Sequence, residues 1–313
     1  MPWLETDAVL ARARAERPVS IATPLGTLVG LYTPPAPEAR AAGRCVVLFT
    51  RPRSHRNRMW VEAARRLAAA GFGAFRFDYH GTGDSDGPSG FLNPNQPYRE
   101  DAVAVLRHLR AAFGERRFVL VGSCFDARTA LSAFMDEADA IDGLLFMAAP
   151  LMELDRMVEA TADRKDWKHL FKSLGNPGNW SALGDAARWR YMATVVSRVA
   201  RRALPGAPPA NDTPLADSFV IHFRALVRSN ARALFLYGRE DAETASFDVA
   251  MRTVFAALPV AVRPRFEVEV WPGAVHGFLE VPRQREALER CLAWIESFHP
   301  DAAARPRRNG HAA

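Results

Sequence analysis

Short apolar runs alternate with amphipathic stretches along most of this chain, which restricts the fold to a mostly parallel sheet with helices on its faces. Residues 19–33 read as an opening hairpin that turns at Pro24, Leu25 and Gly26. Apolar runs at 45–49, 73–77, 118–122, 143–149, 233–237 and 266–271 read as strands. Helical periodicity fills 60–70, 98–113, 127–137, 246–258 and 282–298. Between 151 and 230 the rhythm breaks. Helical patterns at 151–174, 180–204 and 217–230 follow one another without a strand, separated by Asn176-Pro177-Gly178 and a proline-rich stretch at 204–216. The expected organisation is an α/β core at 1–150 and 231–300, a helical cap at 151–230, and a polar tail at 301–313 expected to be disordered.

Composition excludes several alternatives. With 313 residues, 49% hydrophobic and 24% charged, the chain can bury a large core and is not expected to be disordered overall. No apolar run reaches the ~18–20 residues of a membrane span. The first nineteen residues carry Glu5, Asp7 and Glu16 and lack an apolar segment, so no secretory signal and a cytoplasmic location are expected. Cys45, Cys124 and Cys291 are too few and too scattered for a disulfide framework or a zinc site, and no metal is expected. The net charge is +6, and all but three of the 41 basic residues are Arg. With so much Ala beside them, this points to a coding bias. No motif suggests a nucleic-acid partner.

The segment Gly122-Ser123-Cys124-Phe125-Asp126 carries the strongest chemical signal. It joins a strand to a helix, where a nucleophile on a sharp turn is exposed above the sheet with a helix N-terminus behind it. Such a turn needs small flanking residues. Counting two from Gly122 puts Cys124 at the tip. Ser123 is the rival, but its flanks at the same spacing are Val121 and Phe125, both bulky.

Four motifs in order resemble the α/β-hydrolase fold over about residues 19–298. They are Asp78-Tyr-His-Gly81-Thr-Gly83-Asp-Ser85, the Gly122–Asp126 turn, Tyr237-Gly-Arg-Glu-Asp241, and Val275-His276-Gly277-Phe278. Within that superfamily the chain resembles bacterial serine-aminopeptidase-like hydrolases, and its Cys resembles that of dienelactone hydrolases and polyhydroxyalkanoate synthases. The family order of nucleophile, acid and base implies Cys124, Asp241 and His276. Glu240 and Asp155 are alternative acids.

The resemblance also implies an oxyanion hole formed by the backbone N–H of Phe125 and a second donor from the loop after Phe49. Members commonly have His-Gly in that loop. Here it reads Thr50-Arg51-Pro52-Arg53-Ser54-His55-Arg56, with Arg51 as the positional donor. Asp126 is a second departure, since members usually carry Gly there and a carboxylate opposes thiolate formation. Asp78 and Ser85 read as residues that shape their own loop.

A cysteinyl acyl-enzyme is itself a thioester. The implied chemistry is therefore hydrolysis of an ester or thioester without a cofactor, on a small molecule that is free or bound to CoA or a carrier protein. An acyltransferase using an alcohol or amine acceptor, and a non-catalytic binding protein on the same fold, are the alternatives. Trp167, Trp189, Phe219 and Phe223 are candidates for an acyl pocket or for cap packing. Arg51, Arg53, Arg56 and Arg58 cluster where an anionic substrate handle would bind.

Overall fold

The computed structural model describes residues 7–39, 43–54, 56–87, 97–153, 215–276 and 280–299. Eight strands form one sheet: β1 (Arg17–Thr23), β2 (Gly26–Thr33), β3 (Arg44–Phe49), β4 (Gly73–Phe77), β5 (Arg117–Ser123), β6 (Ile141–Met147), β7 (Arg232–Gly238) and β8 (Phe266–Trp271). Their spatial order is β1-β2-β4-β3-β5-β6-β7-β8. The β1–β2 hairpin and its edge with β4 are antiparallel, and every later pair is parallel. This is the mostly parallel sheet expected from the strand pattern, in the form implied by the resemblance to the α/β-hydrolase fold.

Strand periodicity divides the core into two faces. Val47, Phe49, Leu120, Leu144, Phe146 and Phe235 lie in one cluster. Their neighbours Val46, Leu48, Val119, Val121, Leu145 and Leu234 lie in the other. Burial on both faces is why β3 to β7 read as continuous apolar runs rather than alternating ones.

Among the described residues, eight α-helical segments accompany the sheet: α1 (Asp7–Arg14), α2 (Met59–Ala69), α3 (Arg99–Phe113), α4 (Asp126–Ser132), α5 (Phe134–Glu137), α6 (Asp217–Arg228), α7 (Thr244–Ala250) and α8 (Val281–Glu296). α2 and α8 cover the second face through Trp60, Leu67, Leu288 and Trp294. α3 to α7 cover the first, with Leu106, Leu109, Leu131, Phe134, Phe219 and Phe247 among the packed side chains. Cys45 and Cys291 belong to opposite faces and are fully enclosed.

The cap boundary shifts. The sequence pattern assigned all of 151–230 to the cap, but α6 packs into the core, with Phe219 and Phe223 1% and 2% exposed. Phe223 meets Phe219, Phe235, Phe255 and Phe266 at ring-centroid distances of 5.0–6.4 Å. These aromatics are core residues because α6 packs beside α4 and α5 and Phe223 reaches Phe235 of β7 and Phe266 of β8. The Ala216 N–H donates to the Leu151 carbonyl at 2.8 Å, so the chain departing after β6 rejoins the core beside its exit. Trp167, Trp189, Asp155 and the rest of 154–214 lie outside the described residues, as does the tail from 300 onward. No helix among the described residues is long and apolar enough to cross a membrane.

Candidate active site

The parallel strands end level with one another: Phe49 of β3 and Phe146 of β6 both pair with Gly122 of β5. The loops leaving these ends meet at one rim of the sheet, where ligands bind in open α/β folds. Cys124 stands on the rim with φ 55°, a left-handed conformation unusual for a residue with a side chain. Its N–H donates to the Met147 carbonyl at 2.9 Å and its carbonyl accepts from Ala127 at 3.2 Å. Ser123 is the last residue of β5, paired with Met147 inside the sheet and 9% exposed. The tip of the turn is therefore Cys124.

Gly122 explains the spacing. A Cβ there would lie 2.3 Å from the Ala127 Cα, so the first turn of α4 occupies the space a side chain would need.

Opposite the tip, His276 follows β8 on a loop anchored by Asp241. The Asp241 carboxylate accepts main-chain N–H groups from Gly238 (2.8 Å), Val275 (3.1 Å) and His276 (2.9 Å). Gly238 permits this close approach, since a Cβ would meet the Val275 nitrogen at 2.6 Å and an Asp241 oxygen at 2.7 Å. The Asp241 carboxylate thus fixes the backbone that carries the histidine. On the ring itself, Nδ1 of His276 lies 3.4 Å from Oε1 of Glu243. Ligand atoms of Cys124, Glu243 and His276 all fall within 4.8 Å of one another.

Glu243 escapes sequence reading. It sits two residues past the expected acid at the start of α7, and is 3% exposed. A carboxylate at a helix start reads from sequence as an ordinary first-turn residue. The turn at Asp241 aims it inward. Glu240, the nearer alternative, is exposed.

Burial, then the Glu243 charge, pushes the Cys124 thiol up to about 12, with Asp126 adding to the rise. The neighbouring Phe125 backbone N–H and the Arg51 charge act in the opposite direction. At neutral pH Cys124 is held as a neutral thiol. Burial also raises the Glu243 carboxyl, and the neighbouring His276 lowers it.

The two departures from the family pattern meet in space. Nε of Arg51 lies 2.8 Å from Oδ1 of Asp126, and the Arg51 guanidinium stands 5.8 Å from the centre of the Tyr79 ring. Arg53 pairs with Asp78 and Asp84, and its main-chain N–H donates to Asp78 at 3.2 Å. Ser85 accepts from the Val29 N–H at 2.8 Å and donates to the Asp78 carbonyl at 2.7 Å, which shapes this loop. Two of the four clustered arginines thus already face carboxylates of the chain. The backbone of Arg56 lies in a short 3-10 turn, Arg56–Arg58, and its side chain is outside the described residues.

The family model described as serine aminopeptidase, S33, matches residues 40–201, just over half of the sequence. The chain belongs to this family. No curated protein matches the sequence. Among solved structures, the proline iminopeptidase of Mycobacterium smegmatis is 18% identical, with a TM-score of 0.57 over 92% of this chain and 100% of that one. An esterase of Pyrococcus furiosus is 14% identical, with a TM-score of 0.57 over 91% of each chain. A lidless α/β serine hydrolase of Xanthomonas campestris is 15% identical, with a TM-score of 0.53 over 91% of this chain and 95% of that one. At these identities the likeness is one of fold. The S33 description names a serine. In this member the turn presents a cysteine.

Proposed function

We propose that the chain is an α/β hydrolase that cleaves an ester or thioester of a small acyl group through a covalent intermediate on Cys124. The observation that carries this reading is the grouping of the left-handed Cys124, His276 and Glu243 within 4.8 Å of one another. His276 takes the thiol proton as sulfur attacks the acyl carbonyl carbon. The oxyanion so formed develops beside the Phe125 N–H, with the Arg51 backbone as the proposed second donor. Collapse of the tetrahedral intermediate breaks the bond to the leaving group, which departs with the proton from His276. Water then gives a proton to His276 and attacks the cysteinyl thioester. The acid is released and the thiol regains its proton.

Glu243 is the carboxylate facing the imidazole. In this reading it holds the ring's tautomer and stabilises the imidazolium, while Asp241 holds the loop. A neutral thiol suits general-base attack, in which proton transfer accompanies bond formation and no thiolate is stored beforehand.

Intact-mass spectrometry with a short-chain acyl thioester and an activated ester tests the reading. We expect an acyl adduct on the wild type and on Ser123→Ala, and none on Cys124→Ala. Release of free acid identifies hydrolysis. Release that requires an added alcohol or amine identifies acyl transfer instead. Absence of an adduct on the wild type, or its persistence in Cys124→Ala, overturns the covalent mechanism and favours a binding protein.

A further inference from the structure

Three side chains at the rim are also a ligand set. Among the described residues, Cys124, Glu243 and His276 offer sulfur, carboxylate oxygen and imidazole nitrogen within 4.8 Å of one another. We propose that these three residues form a binding site for a thiophilic divalent cation, zinc above all, which reversibly occupies the nucleophile. As a means of controlling catalysis, this inference rests on the function proposed above.

Ligand chemistry supports the assignment. Thiolate, imidazole and carboxylate are the zinc donor types, and three protein ligands with an open position is the arrangement of zinc sites accessible to solvent. Bound through a thiolate, a carboxylate and a neutral imidazole, a divalent ion has its charge fully balanced. That balance matters because Glu243 is 4% exposed at its side chain and Cys124 is half-buried, so both anionic forms lack solvation.

Geometry supports it as well. With Zn–S near ~2.3 Å and Zn–N near ~2.0–2.1 Å, tetrahedral ligands stand roughly 3.3–3.6 Å apart. Glu243 and His276 already meet that spacing at 3.4 Å. The remaining adjustment falls on His276, whose side chain is 43% exposed. Binding forms the metal–sulfur bond, and the thiol proton is released to solvent. With its sulfur held by the ion, Cys124 cannot attack a carbonyl.

The other two cysteines do not compete. Cys45 and Cys291 are 0% and 1% exposed in opposite faces of the core. A metal–thiolate signal from the folded chain therefore reports Cys124.

The test uses the full chain, freed of metal with a chelator and titrated with Co²⁺ as a spectroscopic stand-in. We expect a near-ultraviolet thiolate-to-cobalt band with visible bands of tetrahedral strength, both abolished by stoichiometric Zn²⁺. Cys124→Ser and His276→Ala should each lose the tetrahedral spectrum. Glu243→Gln should weaken cobalt binding by at least the ~10–100-fold seen when an outer-shell partner is lost, because it removes a direct ligand. Absence of a zinc-displaceable band, or an unchanged band in Cys124→Ser, overturns the inference. Acylation by the thioester probe is followed on the same metal-free sample. An adduct without metal binding refutes the cation site alone. Metal binding without an adduct refutes the catalytic reading and leaves the site standing.

Discussion

Arg51 and Asp126, 75 positions apart, meet at 2.8 Å beside the Cys124 turn. Both lie where the sequence departs from the pattern of the fold it resembles, and each supplies the charge the other needs. Burial nevertheless lifts the Asp126 carboxyl to about 6, although Arg51 and Tyr79 pull it down.

The raised Asp126 value has a definite consequence for stability. In the unfolded chain this carboxyl titrates near ~3.9. A group raised on folding stabilises the protein below its unfolded value and loses that contribution as pH climbs through its folded value. From pH 4 to pH 7 the wild type should therefore lose roughly 2–3 kcal/mol relative to Asp126→Asn. Urea unfolding of both proteins at the two pH values measures the difference. A gap that stays constant with pH would show that Asp126 titrates normally.

The neutral thiol sets the alkylation rate of Cys124. At pH 7.5 a thiol lifted to about 12 has a thiolate fraction lower by about three orders of magnitude than an ordinary cysteine. The greater nucleophilicity of a more basic sulfur offsets part of this, leaving iodoacetamide roughly a hundredfold slower. The rate should keep rising above pH 9 without levelling off. Glu243→Gln should raise it at fixed pH, because Glu243 is the largest charge opposing ionisation. Mass-spectrometric rates across pH measure both effects, and a plateau below pH 7 would indicate a stored thiolate.

Asp241 and Glu243 should separate cleanly by mutation. Asp241→Ala leaves the N–H groups of Gly238, Val275 and His276 without their acceptor, and should cost about 2–3 kcal/mol in chemical denaturation. Glu243→Gln should leave stability within about 1 kcal/mol, because it removes a buried charge. In the proposed mechanism it should lower kcat by up to about 10⁴, the loss seen when the carboxylate behind a catalytic histidine is replaced by its amide. If instead Asp241→Asn carries the kcat loss with stability intact, the roles are exchanged.

Phe223→Ala tests where the core ends. The ring is 2% exposed among four other phenylalanines, and its loss should cost about 3–5 kcal/mol. Denaturant midpoints measure this. A cost under ~1 kcal/mol would return α6 to the cap.

What the sequence made legible was carried by local pattern. The doubly buried strands β3 to β7 read as apolar runs, and Gly122 marked the turn because Ala127 packs where its side chain would stand. What escaped was carried by distance and direction. An ion pair between residues 51 and 126 leaves no local trace, so each partner read as an isolated departure. Whether Asp241 or Glu243 faces the imidazole depends on a turn in which Asp241 accepts three main-chain hydrogen bonds, and residue order does not encode that choice. Phe219 and Phe223 have the spacing of an amphipathic helix whether it lies on a cap or on a sheet.

The enclosure of Cys45 and Cys291 makes the unmodified chain its own reporter. A thiol-directed fluorophore or an electrophilic inhibitor library should address one position without background, and wild-type protein can be used directly for both. A second labelled site would be evidence that the core had opened. The same reagent thus follows the chemistry at the rim and the integrity of the folded state.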